Sequence, residues 1–85
     1  MRYYDSKKLL DMPNYQPDLL IDEVKYALDT HTDSALAKRL NMQPSILSRM
    51  RNKLLPITAT TMLQLMEHTG WSLLEIRKRM GVPRP

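Results

Sequence analysis

No cysteine occurs among the 85 residues. Disulfides, thiolate chemistry and cysteine-based zinc sites are thereby excluded, and the composition suits a reducing, cytoplasmic setting. Phenylalanine is also absent and tryptophan occurs once, so a core must be built from Leu, Ile, Val, Ala and the seven Met. Methionine is unbranched and flexible and fills irregular gaps. No apolar run approaches the ~20 residues of a membrane-spanning helix. No hydrophobic stretch follows Arg2, so no signal peptide is expected. With two glycines, Gly70 and Gly81, there is no Gly-rich loop to cradle a phosphate. His31 and His68 lie far apart without a carboxylate paired by spacing, and no Ser or Thr has a nucleophile's surroundings. The expectation is a non-enzyme with no metal, no cofactor and no small-molecule ligand.

Charge is distributed unevenly. Residues 1–33 hold seven acids and four bases. Residues 34–66 hold five bases (Lys38, Arg39, Arg49, Arg51, Lys53) and no acid, and residues 67–85 hold two acids and four bases. An acid-free stretch in the middle of a small domain predicts a one-signed surface, which attracts polyanions. A solvated face that keeps the protein soluble is the plainer alternative.

Apolar spacing predicts helices throughout and no strand. Residues 5–12 form a short first helix closed by Pro13. Pro17 opens a helix to Asp29 or Thr30, with Leu20, Val24, Ala27 and Leu28 on its inner face. Thr32 is an N-cap for a helix from Asp33 to Leu40 that buries Leu36, Ala37 and Leu40. Asn41 suits a left-handed turn. Pro44 starts the next helix, to Asn52, with Leu47 and Met50 inward. The connector Leu54-Leu55-Pro56-Ile57 packs its apolar side chains. A helix from Thr58 or Thr60 presents Met62, Leu65, Met66 and Thr69 and ends at Gly70. Ser72 and Glu75 make a capping box for a last helix to Met80, with Leu73, Ile76 and Met80 on one side. Trp71 is expected to anchor helix packing, and Tyr3, Tyr4 and Tyr15 to fold the N-terminal segment onto the domain. Three parts are expected: an extension or short helix over residues 1–16, a helical domain over 17–81 and a tail over 82–85.

Residues 33–52 carry the functional signal. Two short helices flank a three- or four-residue turn, and Ala37 is small where their backbones approach most closely. This is the layout of a helix-turn-helix, whose second helix enters the DNA major groove. The Leu36-Ala37 and Leu47-Ser48 pairs, Pro56, the apolar helix Met62 to Gly70 and the short helix Ser72 to Met80 resemble the phage Cro/repressor (XRE-type) family over about residues 20–80. The resemblance implies a compact five-helix, lambda-repressor-like all-α domain, with an extra short helix in front. It also implies a transcriptional regulator, a repressor more than an activator, in a bacterial or phage-infected cell at the nucleoid. Asn41 stands where the family usually has Gly, Asp33 where it often has a phosphate-contacting Gln, and Arg51 where it often has Glu.

At 100° per residue, Leu47 and Met50 point inward, and Ser45, Ser48, Arg49 and Asn52 outward. Gln43 and Pro44 lie at the end that enters the groove first. Gln43, Pro44, Ser45, Ser48 and Arg49 are therefore the candidate base readers. Gln43 pairs with adenine, and Arg49 with guanine through a bidentate fork worth ~1–3 kcal/mol. Lys38, Arg39, Arg51, Asn52 and Lys53 are candidates for phosphate contact, and Ile46 for a thymine methyl. Each also has a reading as an ordinary surface side chain; the surrounding motif favours function for Gln43 and Arg49, while for Lys38 and Arg39 the two readings stand level.

One recognition helix reads few base pairs, so a homodimer on a palindromic operator is expected, with half-sites ~34 Å apart. Leu73, Leu74, Ile76 and Met80, with Val82-Pro83, are the candidate dimer surface; the alternative is that half of them close the core. Two other functions fit: a DNA-binding antitoxin, marked by a long toxin-wrapping tail, and a protein-interaction module that kept the fold without binding DNA. No membrane partner is expected.

Overall fold

The structure is a computed structural model that describes residues 6–81, with side chains from Lys8 onward. Tyr3, Tyr4 and the tail Val82-Pro83 lie outside those residues. The described residues form six α-helices: α1 (Ser6–Leu9), α2 (Pro17–Ala27), α3 (Asp33–Arg39), α4 (Pro44–Arg51), α5 (Ala59–Thr69) and α6 (Leu73–Arg79). The described residues contain no strand, and none of their helices is long and apolar enough to cross a membrane. The all-α expectation therefore holds. The first helix is shorter than its spacing predicts, one turn closed well before Pro13.

The helix starts follow local chemistry. Thr32 caps α3 by accepting the Ala35 amide proton at 3.0 Å. Thr58 does the same for α5 through the Thr61 amide. Ser72 and Glu75 form the reciprocal capping box of α6, with the Ser72 amide donating to Glu75 Oε1 at 2.9 Å and the Glu75 amide to Ser72 Oγ at 3.2 Å. The Ser72 amide proton holds the Glu75 carboxyl below its usual range.

The helix ends repeat one device. Asp29, Asn41 and Lys53 have φ of 55°, 56° and 64°. Each follows the last residue of α2, α3 or α4 by two positions. After α3, the Met42 amide donates to the Ala37 carbonyl and the Asn41 amide to Lys38. After α4, Leu54 donates to Arg49 and Lys53 to Met50. These paired bonds satisfy carbonyls that a helix end leaves open. The left-handed turn was legible at Asn41; Asp29 carries the same signal, a short polar side chain that tolerates it, and only at Lys53 does no residue type announce it. Gly70 and Gly81, both at φ 78°, close α5 and α6, Gly70 as expected.

One core joins all the helices. Leu9, Tyr15, Leu20, Ile21, Val24, Leu28, Leu36, Ala37, Leu40, Leu47, Met50, Ile57, Met62, Leu65, Ile76 and Met80 form a single buried cluster. Two expectations are corrected. On α2 the inner face includes Ile21, and Ala27 is exposed, because the stripe Leu20, Ile21, Val24, Leu28 turns the helix slightly from the expected register. On α6, Ile76 and Met80 are fully buried in the chain's own core, at 0% exposure each, and are removed from the candidate dimer surface. Leu9 and Tyr15 make the segment before α2 part of the same core. Trp71 is half-buried with the Arg79 guanidinium 3.9 Å from its ring centroid. Arg79 Nε lies 3.1 Å from a Glu23 carboxylate oxygen, tying α6 to α2.

Candidate nucleic-acid interface

Residues 40–43 connect α3 to α4, and the two helices pack against each other and, through α4, against α2. Ala37 is completely buried, and its lack of side-chain bulk lets the helices approach. Met42 is half-buried and packs on the core from the inner side of the turn. One side of α4 is anchored by Leu47 and Met50, each 2% exposed, with half-buried Ile46 beside them. The opposite side presents Ser45, Ser48, Arg49 and Asn52, all exposed. A helix with one apolar stripe of this width leaves its other side to solvent.

Gln43 and Pro44 are exposed at the start of α4. Gln43 occupies the N-cap position but its side chain makes no capping bond, so its amide is available to an outside partner. A solvent-open cleft of about 420 Å³ lies alongside, lined by Ser34, Lys38, Asn41, Met42, Gln43 and Pro44.

The cations divide into two groups. Lys38, Arg49 and Lys53 are exposed, and among the described residues their side chains make no hydrogen bond or ion pair. Asn52 is exposed as well, with its side-chain amide donating to the Ser48 carbonyl at 2.9 Å. Arg39 is exposed, but its Nη1 donates to the Leu28 carbonyl at the end of α2 at 3.0 Å. Arg51 is engaged through two of its three guanidinium nitrogens. Its Nε donates to Asp33 Oδ2 and its Nη2 to Asp33 Oδ1, both at 2.8 Å, and Nη2 also donates to Asp22 Oδ1 at 2.9 Å. Lys25 Nζ completes the array at 3.0 Å from Asp33.

This array revises the reading of two residues. Asp33, standing where the resembled family often has a phosphate-contacting Gln, has its charge offset by Arg51 and Lys25. The Arg51 bonds, then those of Lys25, hold its carboxyl below the usual carboxylate range against an opposing effect of burial. Arg51, expected to contact phosphate, has its Nε and Nη2 donors turned to Asp33 and Asp22 inside the chain, and the Asp33 bonds push its proton affinity still higher. Sequence reasoning took these positions separately because they stand 18 positions apart.

The described residues contain no cluster of His, Asp and Glu able to hold a metal. No protein-family model, curated protein or solved structure significantly matches the chain.

Proposed function

We propose that this chain is a sequence-specific double-stranded-DNA-binding regulator of the Cro/repressor-like helix-turn-helix kind, with α4 as its recognition helix. One observation carries the reading. The solvent side of α4 presents Gln43, Ser45, Ser48 and Arg49 together, and unpaired Lys38 and Lys53 flank it at either end.

The chemistry of that side fits a duplex. An α-helix fills the major groove, where each base pair shows a distinct set of donors and acceptors. The Arg49 fork matches guanine O6 and N7, and the Gln43 amide matches adenine N6 and N7. Ser45 and Ser48 donate or accept, adding contact with less discrimination. Lys38 and Lys53 set the helix on the phosphates and steer the encounter. Arg39 and Asn52 add phosphate contact if they exchange their single internal bonds.

Two copies on a palindrome would supply the length of site that one helix cannot. The described residues extend 32 Å along their longest axis, commensurate with the ~34 Å between half-sites. Occupying a promoter in this way blocks polymerase, hence repression.

The test is selection of duplexes from a random pool, followed by titration of the enriched site at several salt concentrations. Enrichment of a two-fold site, with affinity falling steeply as salt rises, is the expected result. A pool that remains random after repeated rounds refutes the reading.

A further inference from the structure

We propose that Arg51 is a positioning residue of the recognition helix: its clamp on Asp33 and Asp22 sets how the solvent side of α4 is presented, and so governs discrimination between DNA sequences. This rests on the reading of α4 as the DNA-reading helix and deepens it.

The geometry is that of a brace. Asp33 is the first residue of α3 and Arg51 the last of α4. Two parallel bonds join one guanidinium edge to one carboxylate. Such a fork fixes orientation as well as distance, which a single Lys–carboxylate bond does not. The third bond, to Asp22, adds α2 to the brace. Three helices therefore meet at one guanidinium.

The apolar contacts of α4 leave this task undone. Leu47 and Met50, with half-buried Ile46, hold the helix down, but so narrow an apolar ridge on an eight-residue helix restrains rotation about its own axis weakly. Base reading tolerates little rotation, because bidentate bonds require donor–acceptor distances of ~2.7–3.2 Å at both prongs. Arg49 and Arg51 lie 200° apart around the helix at ~100° per residue. They cannot serve the same groove, and the inner one is tied to the protein. Its side chain is 23% exposed.

The experiment uses the full chain, a duplex enriched from a random pool and a random duplex of equal length. Affinity for both is measured by fluorescence anisotropy over a series of KCl concentrations. Arg51→Lys keeps the charge and loses the fork; Arg51→Gln loses both. Asp33→Asn removes a negative charge and breaks the brace from the other end. Thermal unfolding establishes that each variant is folded at the binding temperature.

All three variants are expected to lower the ratio of selected to random affinity about tenfold or more, the equivalent of losing one good base contact. The salt dependence on random duplex should stay that of the parent for both Arg51 variants. Asp33→Asn should weaken binding to the selected duplex although it makes the protein more positive. The proposal is overturned if Arg51→Gln reduces the salt slope by about one with the ratio unchanged, which marks a phosphate ligand. It is also overturned if Arg51→Lys behaves as the parent, or if Asp33→Asn tightens binding to both duplexes. A parent chain that enriches no site overturns the DNA-reading assignment itself; a parent that discriminates, with variants that do so equally, overturns the brace alone.

Discussion

The main-chain amide of Ile57 donates a hydrogen bond to the Tyr15 hydroxyl, 3.3 Å away in the buried interior. The bond spans 42 positions of sequence and ties the segment before α2 to the connector before α5. That connector follows α4, so the pair holds the back of the proposed reading unit.

Tyr15→Phe keeps the ring and removes the bond. A loss of about 1 kcal/mol in unfolding free energy is expected, seen as a fall in Tm of ~4–8 °C for a domain of this size. Burial pushes the Tyr15 hydroxyl above its ordinary 10.0. A group with a raised folded pKa stabilises fully below its unfolded value and loses that contribution as pH rises through the folded one. Urea titrations above pH 10 should therefore show the parent weakening more steeply than Tyr15→Phe.

Asp33 produces the opposite dependence. Its carboxyl is held below its ordinary 3.8 by Arg51 and then Lys25. A lowered folded pKa gives stability that is present above the unfolded value and disappears as pH falls through the folded one. At pH 7 the parent should exceed Asp33→Asn by about 1 kcal/mol, the size expected for a well-formed pair partly open to water. The two unfolding curves should converge as pH falls below the ordinary 3.8, as protonation removes the carboxylate from the parent.

The last helix separates core from contact surface. Ile76 is fully buried, and Ile76→Ala should cost ~2–5 kcal/mol in thermal or urea unfolding. Leu74 is 49% exposed on the same helix and Leu73 half-buried. Leu74→Ser should change stability by no more than ~0.5 kcal/mol. If this side of α6 joins two copies on DNA, the same variant should shift sedimentation toward monomer.

What the sequence made legible was mostly local. Thr32, Asn41, Ser72 with Glu75, and Gly70 act on backbone within a few residues, so their types alone identify the helix ends. The inward and outward sides of α4 were legible for the same reason, since Leu47 and Met50 define the stripe and the rest follows by rotation. Periodicity does not say which neighbour covers an apolar stripe. Ile76 and Met80 therefore read as candidates for a contact with a second copy, with the core as the alternative, until the position of α6 buries them. Ile21 was missed because one extra apolar residue beside a helical stripe shifts its centre without breaking the pattern. The Arg51–Asp33 brace was invisible because it depends on how α3 and α4 lie side by side, which charge patterning along one chain cannot supply.

Arg49 gives the most direct test of the proposal that α4 reads DNA. Arg49→Ala is titrated beside the parent against a selected and a random duplex at one salt concentration, with Lys53→Ala as the companion variant. The account predicts that Arg49→Ala loses ~1–3 kcal/mol on the selected duplex and much less on the random one, while Lys53→Ala weakens both alike. Equal affinities of parent and Arg49→Ala on the selected duplex would contradict it.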